Sequence, residues 1–255
     1  MNRLHPSFFG APIAHRGLHD ASSGIIENSM SAIRAAIQNG YGIEIDVQPA
    51  KDLTPMVFHD YLLDRLTANR GPINSKSAEA LGQTKLTGSD DGIPSLAQVL
   101  NEIDGHVPLL VEIKDQDTRL GPNVGDFQDK VCEVLADYSG PVAVMSFSPE
   151  TIARVTKLDP DLSVGLVTDP FKAKDWPDVP APRREDLAKI SDAEALSIDF
   201  ISHQQTDLTS PAVSRIKKGG LAVFCWTIRN AQDETRARQI ADNITFEGYT
   251  PTRPE

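Results

Sequence analysis

The sequence predicts an α/β fold, a (β/α)8 TIM barrel with a small insertion after strand 2. Eight short apolar runs recur along the 255 residues, and amphipathic helical patterns lie between them. Most of these runs are continuously apolar, as expected of parallel strands that are covered on both faces. Alternating strands and helices in a chain of this length suit one closed barrel, so we expect a single domain over residues 1–255.

The predicted barrel strands are the apolar runs between turn signals. They lie at 11–15, 41–46, 108–113, 142–147, 163–167, 196–201, 221–227 and 243–246. One more run, PMVFHD at 55–60, follows the second strand too closely for a parallel crossover, which needs about a dozen residues. We therefore expect it to return antiparallel, as a hairpin within an insertion at about 48–93.

Capping residues predict where the intervening helices begin. Asn28 is a predicted N-cap, because apolar residues at helical spacing follow it. Ser95 with Gln98 forms a predicted capping box. The Ser-Pro pairs at 148–149 and 210–211 each place a cap residue before a proline at the first helical position.

Composition and charge argue against several classes of partner. The net charge of −11 disfavours nucleic acid and anionic membrane surfaces, because both bind clustered Lys and Arg. No run approaches the roughly 18 apolar residues of a membrane helix, and the N-terminus lacks a signal-peptide pattern. We therefore expect a cytoplasmic protein with no membrane span. Cys132 and Cys225 lack metal-ligand spacing and are predicted to be small buried residues.

Three carboxylates fall on predicted strands where apolar residues are expected. Glu44 and Asp46 are two residues apart, so on a strand they point to the same face. Glu112 lies on the next strand, and neighbouring strands are about 4.8 Å apart. Such carboxylates repel one another and are costly to bury, and a hard cation such as Mg²⁺ or Ca²⁺ removes that cost. The alternative is an ion pair with Arg16 and Lys114 and no metal.

Cations and histidines accompany these carboxylates at the predicted strand ends. Arg16 and Lys114 supply the fork-shaped and point charges that suit a phosphate group. His15 follows the first strand and His59 follows the hairpin strand, so both are expected at the same rim of the barrel. Two histidines beside a phosphate can act as general base and general acid. No role is assigned to the other histidines, which are His5, His19, His106 and His203.

Taken in order, these motifs resemble those of the glycerophosphodiester phosphodiesterase family. The main series is HRG at 15–17, EN at 27–28, EIDV at 44–47, FHD at 58–60 and EIK at 112–114, and further matches are IPSL at 93–96, SFSPE at 146–150 and CWTIRN at 225–230. The resemblance implies a TIM barrel with an insertion after strand 2. It also implies metal-dependent hydrolysis of small-molecule glycerophosphodiesters to sn-glycerol 3-phosphate and an alcohol.

The resemblance implies a role for each matching residue. The catalytic pair matches His15 and His59, the ligands of one divalent cation match Glu44, Asp46 and Glu112, and the substrate-binding residues match Arg16, Lys114 and Trp226. Trp226 matches an aromatic residue near the glycerol end of the substrate. The EN motif at 27–28 is expected to be mainly structural.

The chain departs from the family pattern in three places. The turn before the hairpin reads AKDLTP, without the glycine of the usual TKDG. The last strand is followed by EGYTP, where the family has an Asp followed closely by Pro, so a carboxylate at the rim is missing. Few residues remain for an eighth helix, and residues 1–9 are expected to cover that end of the barrel instead.

Two alternative functions stay open at this point. One is a lysophospholipase D-like phosphodiesterase acting on lipid-sized diesters, which an exposed apolar rim would favour. Phe171 and Trp176 could supply such a rim from a proline-rich stretch at 169–186, which is predicted to be a long loop. The other is a non-catalytic phosphate-binding barrel. The presence of every expected catalytic residue argues against it. The sequence does not define the leaving alcohol, the native metal or the oligomeric state.

Overall fold

The computed structural model describes residues 3–253, so the first two and last two residues of the predicted domain lie outside the described residues. The strands are β1 (Ile13–Ala14), β2 (Gly42–Pro49), β3 (Pro55–Val57), β4 (Leu109–Ile113), β5 (Val142–Ser146), β6 (Ser163–Thr168), β7 (Phe200–Gln204), β8 (Ala222–Ile228) and β9 (Asn243–Phe246). The helices are α1 (Met30–Gln38), α2 (Ala78–Gly82), α3 (Leu96–Ile103), α4 (Phe127–Leu135), α5 (Pro149–Leu158), α6 (Ala181–Ala188), α7 (Asp192–Ala195), α8 (Pro211–Lys218) and α9 (Ala231–Ala237).

The strand order closes on itself and confirms the predicted (β/α)8 barrel. The order is β1-β9-β8-β7-β6-β5-β4-β2-β3, and β1 also pairs with β2. Within residues 3–253, eight parallel strands therefore form a closed barrel with helices between them. Strand β3 pairs antiparallel with β2.

The described residues fall into two compact units. One comprises residues 13–114 and 126–142, with β1 to β4 and α1 to α4. The other comprises the rest of residues 3–253, with nearly all of β5 and everything from β6 to β9. A single domain over the whole chain stays a prediction.

The insertion after β2 forms the predicted antiparallel hairpin and has its own small core. Val47 lies opposite Val57, and Pro49 lies opposite Pro55. Residues of the insertion, together with Ile26, bury their apolar side chains in one cluster. Its members are Ile26, Ala50, Met56, Phe58, Leu63, Ile73, Leu81, Leu86 and Ile93. The insertion also contains the short helix α2, which Ser77 caps.

Helix α1 begins one residue later than predicted. Ser29, not Asn28, is the N-cap, and its Oγ accepts a hydrogen bond from the backbone N of Ala32 at 3.1 Å. Asn28 has a φ of 58°, whereas an N-cap residue has extended backbone, and its side chain binds elsewhere. The other predicted caps are confirmed, including the Ser95 capping box.

Strand β7 begins four residues later and ends three residues later than the predicted 196–201. Leu196 follows α7, and Ser197 has a φ of 50°, so the apolar run spans a turn as well as a strand. Asp199, the residue before β7, accepts a hydrogen bond through its carboxylate from the backbone N of Val164 in β6 at 3.0 Å. Periodicity alone could not separate the turn from the strand in this run.

The chain before β1 belongs to the second unit and packs against its strands. Phe8 is buried and its ring stacks on Phe224 with centroids 6.5 Å apart. The side-chain amide of Asn243 donates to the carbonyl oxygens of Phe8 at 2.8 Å and Ala11 at 3.0 Å. This segment therefore covers the start of β9, although residues 1 and 2 lie outside the described range.

The hairpin turn without glycine places a leucine in the left-handed region. Leu53 has a φ of 62°, and its backbone N donates to the carbonyl of Ala50 at 3.0 Å. Left-handed backbone costs an L-residue with a Cβ about 1–2 kcal/mol. The register between β2 and β3 is nevertheless regular, so the departure from the family turn strains one residue and leaves the hairpin intact.

We expect Leu53→Gly to raise the free energy of unfolding by about 0.5–1 kcal/mol. Relief of the left-handed strain outweighs the extra entropy that glycine brings to the unfolded chain. Urea unfolding checks this. Leu62→Gly is the matched control, an exposed leucine of the same insertion outside the left-handed positions, and should lower stability. Destabilisation by Leu53→Gly would contradict the interpretation.

Candidate active site

The His-Arg-Gly turn after β1 is held between α1 and β2. A Cβ at Gly17 would lie 2.9 Å from the backbone carbon of Ala32, so α1 can pack here only against glycine. The backbone N of Gly17 donates to the carbonyl of Glu44 at 3.1 Å, and the carbonyl of Arg16 accepts from Asn28 N at 2.8 Å. These contacts fix the backbone of Arg16, whose φ is 55°.

The structure brings the three predicted carboxylates together on two paired strands. Asp46 of β2 lies directly opposite Glu112 of β4, and Glu44 is two residues earlier on the same face. One oxygen from each carboxylate lies within 4.8 Å of the others. The three residues are 1%, 1% and 7% exposed in chain order. We call this cluster the carboxylate triad.

Two cations lie against the carboxylate triad. The Lys114 ammonium is 2.7 Å from Asp46 Oδ1 and 2.6 Å from Glu112 Oε1. The Nε of Arg16 is 3.4 Å from Asp46 Oδ2, and its backbone N donates to Glu44 Oε2 at 2.8 Å. The ion pairs expected in the metal-free alternative are therefore present, beside an oxygen cluster compact enough for a metal ion.

The charge of the triad is unevenly compensated. Burial alone would raise the pKa of Asp46, but the charges of Lys114, His59 and Arg16 outweigh it and hold the pKa well below its usual range. Burial raises the pKa of Glu44, and the charges of Asp46 and Glu112 raise it further. Glu44 is thus the carboxyl that the surrounding cations compensate least. An all-oxygen donor set with an excess of negative charge fits a hard divalent cation.

The two predicted histidines belong to the same unit as the triad. His15 Nε2 lies 4.0 Å from Glu44 Oε2. The hairpin strand β3 is followed by Phe58 and then by His59. The backbone N of Phe58 donates to the carbonyl of Asp46 at 2.9 Å. Its Nδ1 is 2.6 Å from Asp60 Oδ1. The hairpin therefore returns His59 to the strand that carries two of the carboxylates.

Sequence reasoning missed the role of Asn28 in this cluster. Its side-chain amide donates to Asp46 Oδ2 at 2.9 Å, and its Oδ1 accepts from Asp46 N at 3.3 Å. Asn28 is 1% exposed, so these bonds orient a carboxylate in a buried place. The EN motif was a usable signal. Arg65, which contacts Glu27 and Asp60, lies outside the motifs from which the site was predicted.

Trp226 lies in the other unit, not in the unit of the carboxylate triad. Its ring is half-buried and edge-on to Phe147, with centroids 5.6 Å apart. Its indole N–H donates to the carbonyl of Ser202 at 2.9 Å. His203 of the same unit is buried against Thr168 Oγ1 at 2.8 Å, a structural contact in keeping with the absence of an assigned role. Substrate contact by Trp226 stays a prediction.

Comparison with known proteins identifies the family. The sequence model of the glycerophosphoryl diester phosphodiesterase family matches residues 15–243. The chain belongs to this family. Membership makes it a phosphoric diester hydrolase, and family members depend on a divalent metal.

Relatives and solved structures agree with the family. A glycerophosphodiester phosphodiesterase of Caldanaerobacter subterraneus is 27% identical over 236 residues, 88% of each chain. Human glycerophosphodiester phosphodiesterase 1 is 27% identical over 87% of this chain and 72% of its own. The structure of an Oleispira antarctica phosphodiesterase in complex with the product sn-glycerol-3-phosphate has a TM-score of 0.76, 23% identity and 94% coverage of both chains, which shows a shared fold.

The described residues also bear on the membrane prediction. Within residues 3–253, no helix is long and apolar enough to cross a bilayer.

We expect Lys114→Met to lower the free energy of unfolding of metal-free protein by about 3–5 kcal/mol, because it leaves buried carboxylates without their cation. Lys130→Met is the matched control, since Lys130 pairs with Glu133 at 2.7 Å on the exposed face of α4 and should cost less than about 1 kcal/mol. Urea unfolding in the presence of a chelator compares the two. Equal small losses would show that Lys114 does not compensate the triad.

Proposed function

We propose that this enzyme hydrolyses glycerophosphodiesters to sn-glycerol 3-phosphate and an alcohol, with one divalent cation and two histidines. The observation that carries the proposal is the carboxylate triad with His15 and His59 beside it, in a chain of this family. The product complex of the Oleispira antarctica relative supports a substrate of the same kind.

Glu44, Asp46 and Glu112 are the residues that would hold the ion, Mg²⁺ or Ca²⁺. When bound, such an ion supplies positive charge to a phosphate oxygen as negative charge develops there. Arg16 and Lys114 add cationic donors beside it, and both are already held in place by carboxylates.

The two histidines divide the proton transfers. His15 takes the proton of the attacking group, which we take to be the 2-hydroxyl of the substrate's glycerol. Attack gives a cyclic phosphate that water then opens: the water gives a proton to His59, and His15 returns its proton to the 2-oxygen. His59 gives a proton to the leaving alcohol. His59 does this as the imidazolium: its Nδ1–H donates to Asp60, and its Nε2–H is the proton that goes to the leaving alcohol.

Turnover of glycerophosphocholine by metal-stripped protein tests the proposal. We expect no release of glycerol 3-phosphate until Mg²⁺ or Ca²⁺ is added back, and the ion that restores the higher rate identifies the metal. Full activity of the stripped protein, or release of a different phosphate ester, would refute the reaction as written.

Removing either histidine should lower kcat for glycerophosphocholine by about 10²–10⁴-fold, the usual worth of a general acid or base. His15→Ala and His59→Ala are the test variants. His106→Ala is the control, because this exposed histidine contacts the nearby backbone carbonyl of Ile103 and should keep the wild-type rate when it is removed. A His59→Ala enzyme of near-normal rate would remove its assignment as general acid.

The structure does not favour lipid-sized diesters through the expected residues. Phe171 is buried, 3% exposed, and packs on Trp176 with ring centroids 5.3 Å apart. The indole N–H of Trp176 is bonded to Asp169 at 2.9 Å. The predicted loop at 169–186 is also shorter than expected, since α6 begins within it. The leaving alcohol and a cytoplasmic location stay predictions, as do places in glycerol and lipid metabolism.

A further inference from the structure

We propose that Arg65 is a positioning residue that holds the general acid His59 in place through Asp60 and is tied to Arg16 through Glu27. The inference rests on the proposed function, in which His59 protonates the leaving alcohol. All five residues belong to the same compact unit.

Arg65 grips Asp60 with two donors. Its Nε donates to Asp60 Oδ2 at 2.7 Å, and its Nη2 donates to Asp60 Oδ1 at 2.8 Å. Asp60 Oδ1 is also 2.6 Å from Nδ1 of His59. The carboxylate that orients the imidazole is therefore itself oriented by a guanidinium.

The other side of the same guanidinium grips Glu27. Nη1 of Arg65 donates to Glu27 Oε2 at 2.8 Å, and Nη2 donates to Oε1 at 2.8 Å. Glu27 Oε1 also accepts from Nη1 of Arg16 at 2.6 Å. An alternating chain of charges thus runs from Arg16 through Glu27, Arg65 and Asp60 to His59.

The geometry requires arginine. Its planar fork makes two hydrogen bonds to each of two carboxylates and so fixes how they face each other. An ammonium has three donors and cannot make all four of these bonds. Isolated ion pairs on the surface contribute little to stability. Here both carboxylates are mostly shielded from solvent, since the side chains of Glu27 and Asp60 are 14% and 21% exposed. Burial would raise the pKa of Asp60, yet hydrogen bonds from His59 and Arg65 hold the pKa well below its usual range. Asp60 therefore stays ionised as a partner for His59.

The role of His59 provides a readout that a merely structural role of Arg65 would not change. Choline is a poor leaving group and needs a proton as the bond to phosphorus breaks, whereas p-nitrophenolate departs without one. A misplaced His59 should therefore slow the choline diester far more than the p-nitrophenyl diester.

The experiment compares wild-type protein and Arg65→Gln on glycerophosphocholine and on glycerophospho-p-nitrophenol, both with the divalent ion present. We expect kcat for the choline diester to fall about 10- to 100-fold, and that for the p-nitrophenyl diester to fall less than about 3-fold. Equal losses on the two substrates, or no loss on either, would overturn the inference.

Controls separate positioning from folding and from the proposed function. Arg70→Gln removes an exposed arginine of the same insertion that pairs with Asp64 at 3.3 Å, and should leave both rates unchanged. Arg65→Lys keeps the charge without the fork and should show the same selective loss, so it carries the test if Arg65→Gln lowers the Tm below the assay temperature. Wild-type protein inactive on both diesters would refute the proposed function, and this inference with it. An active wild type whose variants lose both rates equally refutes the inference alone.

Discussion

Three carboxylates buried on two paired strands constrain everything around them. Glu44, Asp46 and Glu112 lie almost out of contact with water, where like charges a few ångströms apart are strongly unfavourable. Lys114 lies between Asp46 and Glu112, and the Arg16 side chain pairs with Asp46 from the turn after β1. Glu44 is left least compensated, and that imbalance is what makes the cluster suited to a divalent cation.

The same electrostatic demand extends outward from the triad. Arg16 pairs with Glu27, and Glu27 also binds the guanidinium of Arg65. The same guanidinium binds Asp60, which contacts His59. The insertion after β2 supplies the last members of this chain of charges. Its hairpin brings His59 back to β2, and its following segment contributes Arg65. A segment with its own small hydrophobic core thus completes the proposed active site.

Much of this arrangement could be predicted from the sequence. Continuous apolar runs gave the strands, and because parallel strands end at one rim, residues as distant as His15 and Glu112 could be expected together. Local chemistry was less predictable. Asn28 looked like a helix cap; the EN motif marked it as a residue of interest but did not show that its amide binds a carboxylate 18 positions later. The apolar run at 196–201 contains both a turn and the start of β7, which periodicity does not separate. Arg65 sits in an irregular segment, where no periodicity indicates which way a side chain points.

A calorimetric titration of Mg²⁺ and Ca²⁺ into metal-stripped protein tests the central claim most directly, since it asks whether the triad binds an ion at all. The account predicts one ion per chain in the wild type and loss of that binding in Glu44→Gln. Glu133→Gln, which removes an exposed carboxylate of α4, should bind as the wild type does. Absence of binding by the wild type, or unchanged binding by Glu44→Gln, would contradict the assignment of the triad as the metal site.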